Sequence, residues 1–184
     1  MGGDFTRLWI KTEGEQATLG GGGEFEVQAL YSRLIAPFWE WQVGVRVDAE
    51  YGKPDPARRL LAVIGLEGLA PYWFELKPAL FVSQKGDISG RLTASYDMFI
   101  TQRLIAQPRV DADAALQEVP EFGVGSGLNS VRLGLRLRYE LRREYAPYLG
   151  VSWLRRFAQT ADLARREGSQ VSELAVVGGF RLWF

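Results

Sequence analysis

Two pairs of acidic residues have a spacing that could support chemistry. Asp48 and Glu50, and likewise Asp111 and Asp113, are two positions apart, so in an extended strand both members of each pair face the same side. Paired carboxylates can bind a cation through oxygen or act as an acid and a base. We take these four residues as weak candidate metal ligands and as candidates for a cation-attracting mouth of a polar conduit.

The absence of two residue types limits the chemistry that these carboxylates could support. The chain has 184 residues with no histidine and no cysteine, which removes the commonest general base, the commonest metal ligand and any disulfide. The glycine run at 20–23 is not followed by a helix and a lysine, so it does not predict a phosphate-binding loop. We therefore expect no enzyme and no bound cofactor. An enzyme built on the aspartate pair would instead lose its turnover in Asp113→Asn.

Composition sets further limits. The 22 basic and 22 acidic residues balance, which gives no reason to expect a nucleic-acid partner. Arginine greatly outnumbers lysine, as is typical where ion pairs are fixed and partly buried. No apolar run approaches the roughly 18 residues of a membrane helix. The first three residues lack the features of a secretory signal, so we expect Met1 to begin a mature fragment.

The elements that would position these residues are strands. In the last segment, Phe184, Leu182 and Phe180 alternate with Trp183 and Arg181, and a period of two indicates a strand with one apolar face. The same alternation recurs along the chain. It predicts strands at about 5–13, 24–34, 38–51, 58–69, 72–84, 89–100, 103–116, 130–142, 145–157 and 171–184.

The connections between these strands alternate in length. They are long after strands one, three, seven and nine and short after two, four, six and eight, while the one after strand five is short but falls on the long side. Aromatic residues cluster near the short connections. Short periplasmic turns, longer outer loops and aromatic rings at headgroup level are typical of outer-membrane barrels. A final strand ending on Phe184 also resembles their assembly signal. Both ends of the chain would then face the periplasm.

The predicted fold is all-β: residues 1–184 form a single domain, a ten-stranded antiparallel up-and-down transmembrane β-barrel in the bacterial outer membrane. The alternative is a water-soluble sandwich, which hides its apolar faces in a shared core and wets its polar faces. Alternation alone does not separate these two folds. The terminal phenylalanine, the aromatic ends and the loop alternation favour the membrane barrel.

The face opposite the apolar one collects charges of both signs. In a narrow lumen these charges must pair, because an unpaired buried charge is costly. The structural interpretation is an ion-pair network that fills the barrel, and the functional one is a permeation path. The residues predicted to form the network are Lys11, Glu13, Glu26, Glu40, Arg46, Glu67, Glu75, Lys77, Arg91, Asp97, Arg109, Arg132, Arg136, Arg138, Glu140 and Arg181.

Several segments, taken in order, resemble a known family. They include Leu8-Trp9-Ile10-Lys11-Thr12-Glu13-Gly14-Glu15, Gly68-Leu69-Ala70-Pro71-Tyr72-Trp73-Phe74-Glu75 and Leu135-Arg136-Leu137-Arg138-Tyr139-Glu140-Leu141-Arg142-Arg143-Glu144. In their residues and their order these segments are similar to copper resistance protein B, an outer-membrane barrel family of copper-tolerance systems. The likeness spans almost the whole chain.

The resemblance implies copper handling at the outer membrane, with copper ions, the lipid bilayer and periplasmic copper carriers as partners. The family usually carries a Met- and His-rich segment before the barrel, which this sequence does not contain. Soft Cu(I) prefers thioether or thiolate ligands, and the chain offers only Met1 and Met98. Two hypotheses follow: passage of copper ions through or at the barrel, or a non-conducting membrane anchor for the copper-binding segment.

Overall fold

The computed structural model describes residues 6–16, 23–51, 58–141, 145–166, 168 and 170–182. Within these residues the chain forms eleven strands, one α-helix and two short 3-10 turns, Pro71–Trp73 and Pro120–Phe122. The strands are β1 Thr6–Gln16, β2 Gly23–Ala36, β3 Trp39–Tyr51, β4 Arg58–Ala70, β5 Phe74–Ser83, β6 Ile88–Tyr96, β7 Met98–Phe99, β8 Leu104–Ala115, β9 Gly127–Tyr139, β10 Tyr145–Arg156 and β11 Ser172–Leu182, and the helix α1 is Ala158–Arg166.

All the strands belong to one antiparallel sheet in which neighbours in sequence are neighbours in space. This confirms the predicted all-β class and up-and-down order. The predicted count of ten becomes eleven, because the sixth strand is interrupted at Asp97. Its two parts, β6 and β7, both pair with β8 and occupy one position in the sheet.

Three local predictions differ from the structure. The segment 158–170, predicted as a loop, contains α1, whose buried side is formed by Thr160, Ala161 and Ala164; a search for period two does not detect this helical spacing. The fifth strand begins two residues late, because Tyr72 and Trp73 have φ values of 67° and 65°, outside the extended region. A proline within the fifth predicted strand also suggests a bulge at Pro78, but the β5–β6 ladder runs through Pro78 without a change of register, and the β4–β5 ladder has the same register on both sides of it.

Other predictions fall partly outside the described residues. Trp183 and Phe184, the last two residues of the predicted final strand, lie there, as do Phe5 and residues 20–22 of the glycine run. The structure gives the backbone register of Lys11, Glu13, Glu50 and Arg181, but their side chains are not among those described. No helix in the described part of the chain is long and apolar enough to cross a membrane.

The sheet is strongly curled. In a flat sheet β2 and β6, which lie four positions apart, would be separated by roughly 19 Å. Instead, Arg91 Nη1 on β6 lies 3.5 Å from Glu26 Oε2 on β2. We call the concave surface that carries these residues the interior face and the opposite surface the outer face. Among the described residues no ladder joins β1 to β11, so the closed barrel of the prediction is not observed there.

The two faces of the sheet differ in burial, and the pattern is the reverse of that in a water-soluble sandwich: polar side chains are buried and apolar ones are exposed. Buried polar residues with at most 9% exposure lie on the interior face: Ser32, Gln42, Arg46, Asp48, Ser83, Thr93, Ser95, Asp111 and Arg138. The outer face carries exposed apolar residues, including Leu8, Ile10, Val45, Ile64, Leu80, Leu92, Leu133, Leu149, Leu174 and Val176. The apolar faces of this sheet are therefore not packed together, and the sandwich alternative is wrong.

An apolar cluster on the interior face was not predicted from the sequence. Leu30, Leu61, Val63 and Phe81, from β2, β4 and β5, pack together with Ala79 against them. Their exposed fractions are 4% or less. The interior is thus partly a hydrophobic core and not purely a charged lining.

Gly44 lets β2 and β3 approach closely beside this cluster. A Cβ atom at position 44 would lie 2.0 Å from the Ala29 carbonyl oxygen and 2.9 Å from Leu30 Cα, and backbone atoms cannot rotate away. We expect Gly44→Ala to lower the free energy of unfolding by about 3 kcal/mol or more, measured by urea unfolding in detergent with tryptophan fluorescence. Gly134→Ala is the control, because its Cβ would meet nothing closer than 3.8 Å. Equal losses in the two variants would contradict this explanation.

Candidate functional site: the interior charge network

The charged residues of the interior face form two groups along the strands. One lies toward the connections that contain residues 17–22, 52–57, 84–87, 116–126 and 157–171, which we call the long-loop end. The other lies toward the turns at 37–38, 71–73, 100–103 and 140–144, the short-turn end. Both groups follow from the alternation of the strands, which places every second side chain on the same face.

At the long-loop end, each of four carboxylates forms an ion pair with at least one arginine. Asp48 accepts from Arg46 Nε at 2.5 Å and Arg59 Nη2 at 2.9 Å. Glu26 lies 2.7 Å from Arg46 Nη2 and 3.5 Å from Arg91 Nη1. A single glutamate therefore joins guanidinium groups from β3 and β6.

The aspartate pair Asp111 and Asp113 belongs to the same group. Asp111 accepts two hydrogen bonds of 2.8 Å from Arg109 and one of 2.6 Å from Thr93, and it faces Arg132 across the β8–β9 ladder. Asp113 accepts from Arg91 Nε at 2.8 Å. Both aspartates of the pair are thus bridged to arginines.

At the short-turn end the network is less buried. Lys77 Nζ lies 3.0 Å from Glu67 and 3.1 Å from Glu75. Arg138 Nη2 lies 3.0 Å from Asp97 and 3.6 Å from Glu140. Such pairing offsets the cost of burying these charges, and Gln42, Ser95 and Gln107 add hydrogen bonds to Glu67, Glu75 and Asp97.

Two further predicted network residues lie on this side of the interior. Glu40 accepts from Arg7 at 3.2 Å and from the Ser32 hydroxyl at 3.0 Å. Arg136 stacks on the Tyr148 ring at 5.6 Å and makes no ion pair within the described residues. A cation–π contact therefore takes the place of a carboxylate partner at this position.

A cavity of about 290 Å³ lies at the long-loop end, and we call it the arginine cavity. Three of the four candidate metal ligands, Asp48, Asp111 and Asp113, line it together, while the side chain of Glu50 is not described. Within the described residues no group of three or more histidine, cysteine, aspartate or glutamate side chains is placed to hold a metal ion. The metal-ligand assignment therefore stays a prediction.

Two connections cover this cavity. The ring of Phe122, in the turn after β8, packs against the guanidinium group of Arg59 on β4. The guanidinium carbon lies 4.4 Å from the centre of the ring. Thr160 of α1 accepts a hydrogen bond of 2.9 Å from the Gly125 amide and lies 3.2 Å from the Asn129 amide group. The two connections are thus fixed to each other and, through Phe122, to the opposite wall.

Sequence reasoning missed several residues of this site. Arg59 lies two and four positions before Leu61 and Val63, so it is on the same face of β4. Alternation from the exposed Leu60 could have placed it on the interior face. Phe81 could have been found in the same way from Leu80. No sequence signal points to Phe122 or Thr160, because their positions depend on how two connections fold over the sheet.

Comparison with known proteins gives a consistent relationship. The family described as "Copper resistance protein B precursor" matches residues 1–184. The chain is 42% identical to "Copper resistance protein B" of Escherichia coli and 39% identical to "Copper resistance protein B homolog" of Pseudomonas syringae pv. tomato (strain ATCC BAA-871 / DC3000), in both cases over all 184 residues. It spans about three fifths of the length of these relatives, 60% and 61%. The chain belongs to the copper resistance protein B family.

Proposed function

We propose that this chain closes into a β-barrel in the bacterial outer membrane and supports the passage of copper ions as part of a copper-resistance system. The observation that carries the proposal is the sheet whose apolar residues lie exposed on the outer face while charged residues are buried on the interior face. In water such an apolar surface is unfavourable, at roughly 25 cal/mol per Å². Acyl chains would solvate it without that cost.

The dimensions of the sheet support this placement. The nine long strands other than β6 and β7 have 10–14 residues, and a tilted strand needs about 9–11 to cross the hydrocarbon layer. Exposed aromatic residues stand at the short-turn end, among them Phe38, Tyr72, Trp73 and Phe99. Three of these have positive φ, which costs roughly 1–2 kcal/mol per residue. Contact with lipid headgroups would offset this strain.

Closure of the barrel is part of the proposal. β1 and β11 each have eleven residues, and in hydrocarbon each unpaired backbone group at an open edge would cost several kcal/mol. Pairing of these two strands removes both edges. A lipid bilayer therefore favours closure more strongly than water does.

The role in copper resistance rests on the family. The relatives are named for copper resistance, and the family description includes the word precursor, which is consistent with export from the cytoplasm. Copper ions are then the cargo, and periplasmic copper carriers are the proposed partners on the side of the short turns. We assign the chain no enzymatic activity.

The filled interior favours a second candidate, a non-conducting anchor for a copper-binding segment. Ion pairs and the apolar cluster occupy much of the interior face, where Gln42, Thr93 and Asp111 are all buried. Under this hypothesis the network only stabilises the barrel. The two candidates share the membrane placement and differ in whether ions cross.

Reconstitution separates these possibilities. The chain is inserted into vesicles that contain a copper-sensitive dye, and external copper is added. We expect dye quenching that exceeds that of protein-free vesicles and changes in rate in Asp111→Asn. Insertion without quenching would support the anchor. Failure to insert, detected by complete digestion of all strands with external protease, would overturn both candidates.

A further inference from the structure

We propose that α1 and residues 119–127 form a cap over the long-loop end of the interior face, and that the contact between Phe122 and Arg59 is the latch that keeps this cap closed. The proposal goes beyond copper passage, because it concerns the access of any small solute to the interior from that end. Residues 122–124 and Thr160 line the arginine cavity together with residues from strands between β2 and β10. The cap therefore lies directly over the charge network.

Within the cap, residues 119–124 form a short arm that carries Phe122 near its tip. The Val119 amide donates to the Val124 carbonyl oxygen at 2.7 Å, and the Val124 amide donates back to the Val119 carbonyl oxygen at 3.2 Å. The two ends of the arm are thus paired as in a hairpin. The chain reverses with a φ of 62° at Gly123, a conformation that glycine adopts without strain. The ring of Phe122 therefore moves with the arm as one unit.

Hydrogen bonds fix the arm to α1 on one side. The Gly125 amide donates to Thr160 Oγ1 at 2.9 Å, and the amide and hydroxyl groups of Ser126 donate to Gln159 Oε1 at 3.0 and 2.8 Å. A Cβ atom at position 125 would lie only 2.6 Å from the Thr160 amide nitrogen, so the two connections are in close contact. Thr160 is 7% exposed, and separation here would leave buried polar groups unpaired, which is costly. We assign this side as the hinge.

The attachment on the other side, to β4, is of a different kind. The ring centre of Phe122 lies 4.4 Å from the guanidinium carbon of Arg59, and Arg59 Nη2 also donates to Asp48 Oδ2 at 2.9 Å. When the ring moves away, the guanidinium group keeps Asp48 as its partner, and the ring itself carries no donor or acceptor. Separation of the two side chains therefore costs a cation–π contact and no hydrogen bond. The cap should open on this side.

The composition of the chain permits a direct test. The sequence contains no cysteine, so a single introduced thiol is unique and its alkylation reports access to one position. Ser89 on β6 lines the arginine cavity. Ser95, on the same face of β6, is 7% exposed and lines a second cavity at the short-turn end. Ser89→Cys therefore reports opening of the cap, whereas Ser95→Cys reports loosening of the whole sheet.

Each cysteine variant is combined with Phe122→Ala or Phe122→Tyr, and the rate of alkylation by iodoacetamide is measured on the folded chain in detergent. We expect Phe122→Ala to raise the rate at Ser89→Cys about ten-fold, because loss of the cation–π contact increases the open population. Phe122→Tyr keeps an aromatic ring on the guanidinium group and should change this rate by less than about two-fold. At Ser95→Cys both changes should be less than about two-fold.

Three outcomes would overturn the proposal: no rise at Ser89→Cys in Phe122→Ala, an equal rise in Phe122→Tyr, or an equal rise at Ser95→Cys. If Phe122→Ala does not fold, Phe122→Leu replaces it with the same expected rise, because leucine fills much of the volume without an aromatic face. The measurement uses neither copper nor a bilayer. Its result is therefore independent of whether copper ions cross the membrane.

Discussion

Phe81→Ala is expected to lower the free energy of unfolding by about 3–5 kcal/mol, the cost of truncating a fully packed phenylalanine. Phe81 is 4% exposed and packs against Leu30, Leu61 and Val63. The guanidinium carbons of Arg46 and Arg91 lie 4.8 and 5.8 Å from its ring centre. Urea unfolding in detergent, followed by tryptophan fluorescence, measures the loss.

Leu80→Ala is the matched control for this prediction. Leu80 is the preceding residue of β5, on the outer face, with 58% of its surface exposed. Its truncation removes about 1–2 kcal/mol of transfer free energy and leaves no cavity. If the two variants lost equal stability, the interior apolar cluster would not contribute as the packing indicates. In vesicles, Phe81→Ala should also speed copper entry if Phe81 obstructs the interior, while Leu80→Ala should not.

Asp48→Asn is expected to cost about 3–5 kcal/mol, because it leaves buried arginines without their carboxylate. Asp48 contacts Arg46 at 2.5 Å and Arg59 at 2.9 Å, and all three side chains are less than 15% exposed. Arg46 keeps Glu26 as a partner, whereas among the described residues Arg59 keeps only its contact with Phe122. Urea unfolding under the same conditions gives the difference in free energy.

An exposed ion pair of similar length provides the control. Asp162 and Arg165 on α1 lie 2.6 Å apart, with side chains more than 60% exposed, so Asp162→Asn should cost less than about 0.5 kcal/mol. The double variant Asp48→Asn with Arg59→Gln should be more stable than the sum of the single losses predicts. Additive losses would show that the two groups do not interact.

Much of the fold could be predicted from local alternation. The strands with the cleanest period of two, β3 and β9, place Arg46, Asp48, Arg132, Arg136 and Arg138 on one face and their neighbours on the other, as the sequence indicates. The order of the strands also follows, because short polar turns between alternating segments allow only antiparallel neighbours. The helix α1 and the break at Asp97 could not be predicted in this way. The helix has no period of two, and the alternation of apolar and polar residues continues across Asp97.

The partners of the charges were beyond the reach of the sequence. Alternation places Glu26 and Arg91 on the same face, but only the curvature of the sheet brings β2 and β6 close enough for them to meet. It likewise does not show that Asp48, Asp111 and Asp113 line one cavity together with arginines from several strands. The charged groups that line a cavity depend on which side chains from distant strands converge there.

The sequence by itself therefore determined which side chains are apolar and outward and which are charged and inward, since that follows from a backbone with a repeat of two residues. Only the tertiary structure decided which charges pair, that Phe81 and its neighbours form an apolar cluster among them, and that residues 122–124 and α1 cover the arginine cavity. These features depend on contacts between residues far apart in the chain, and such contacts exist only once the sheet has curled.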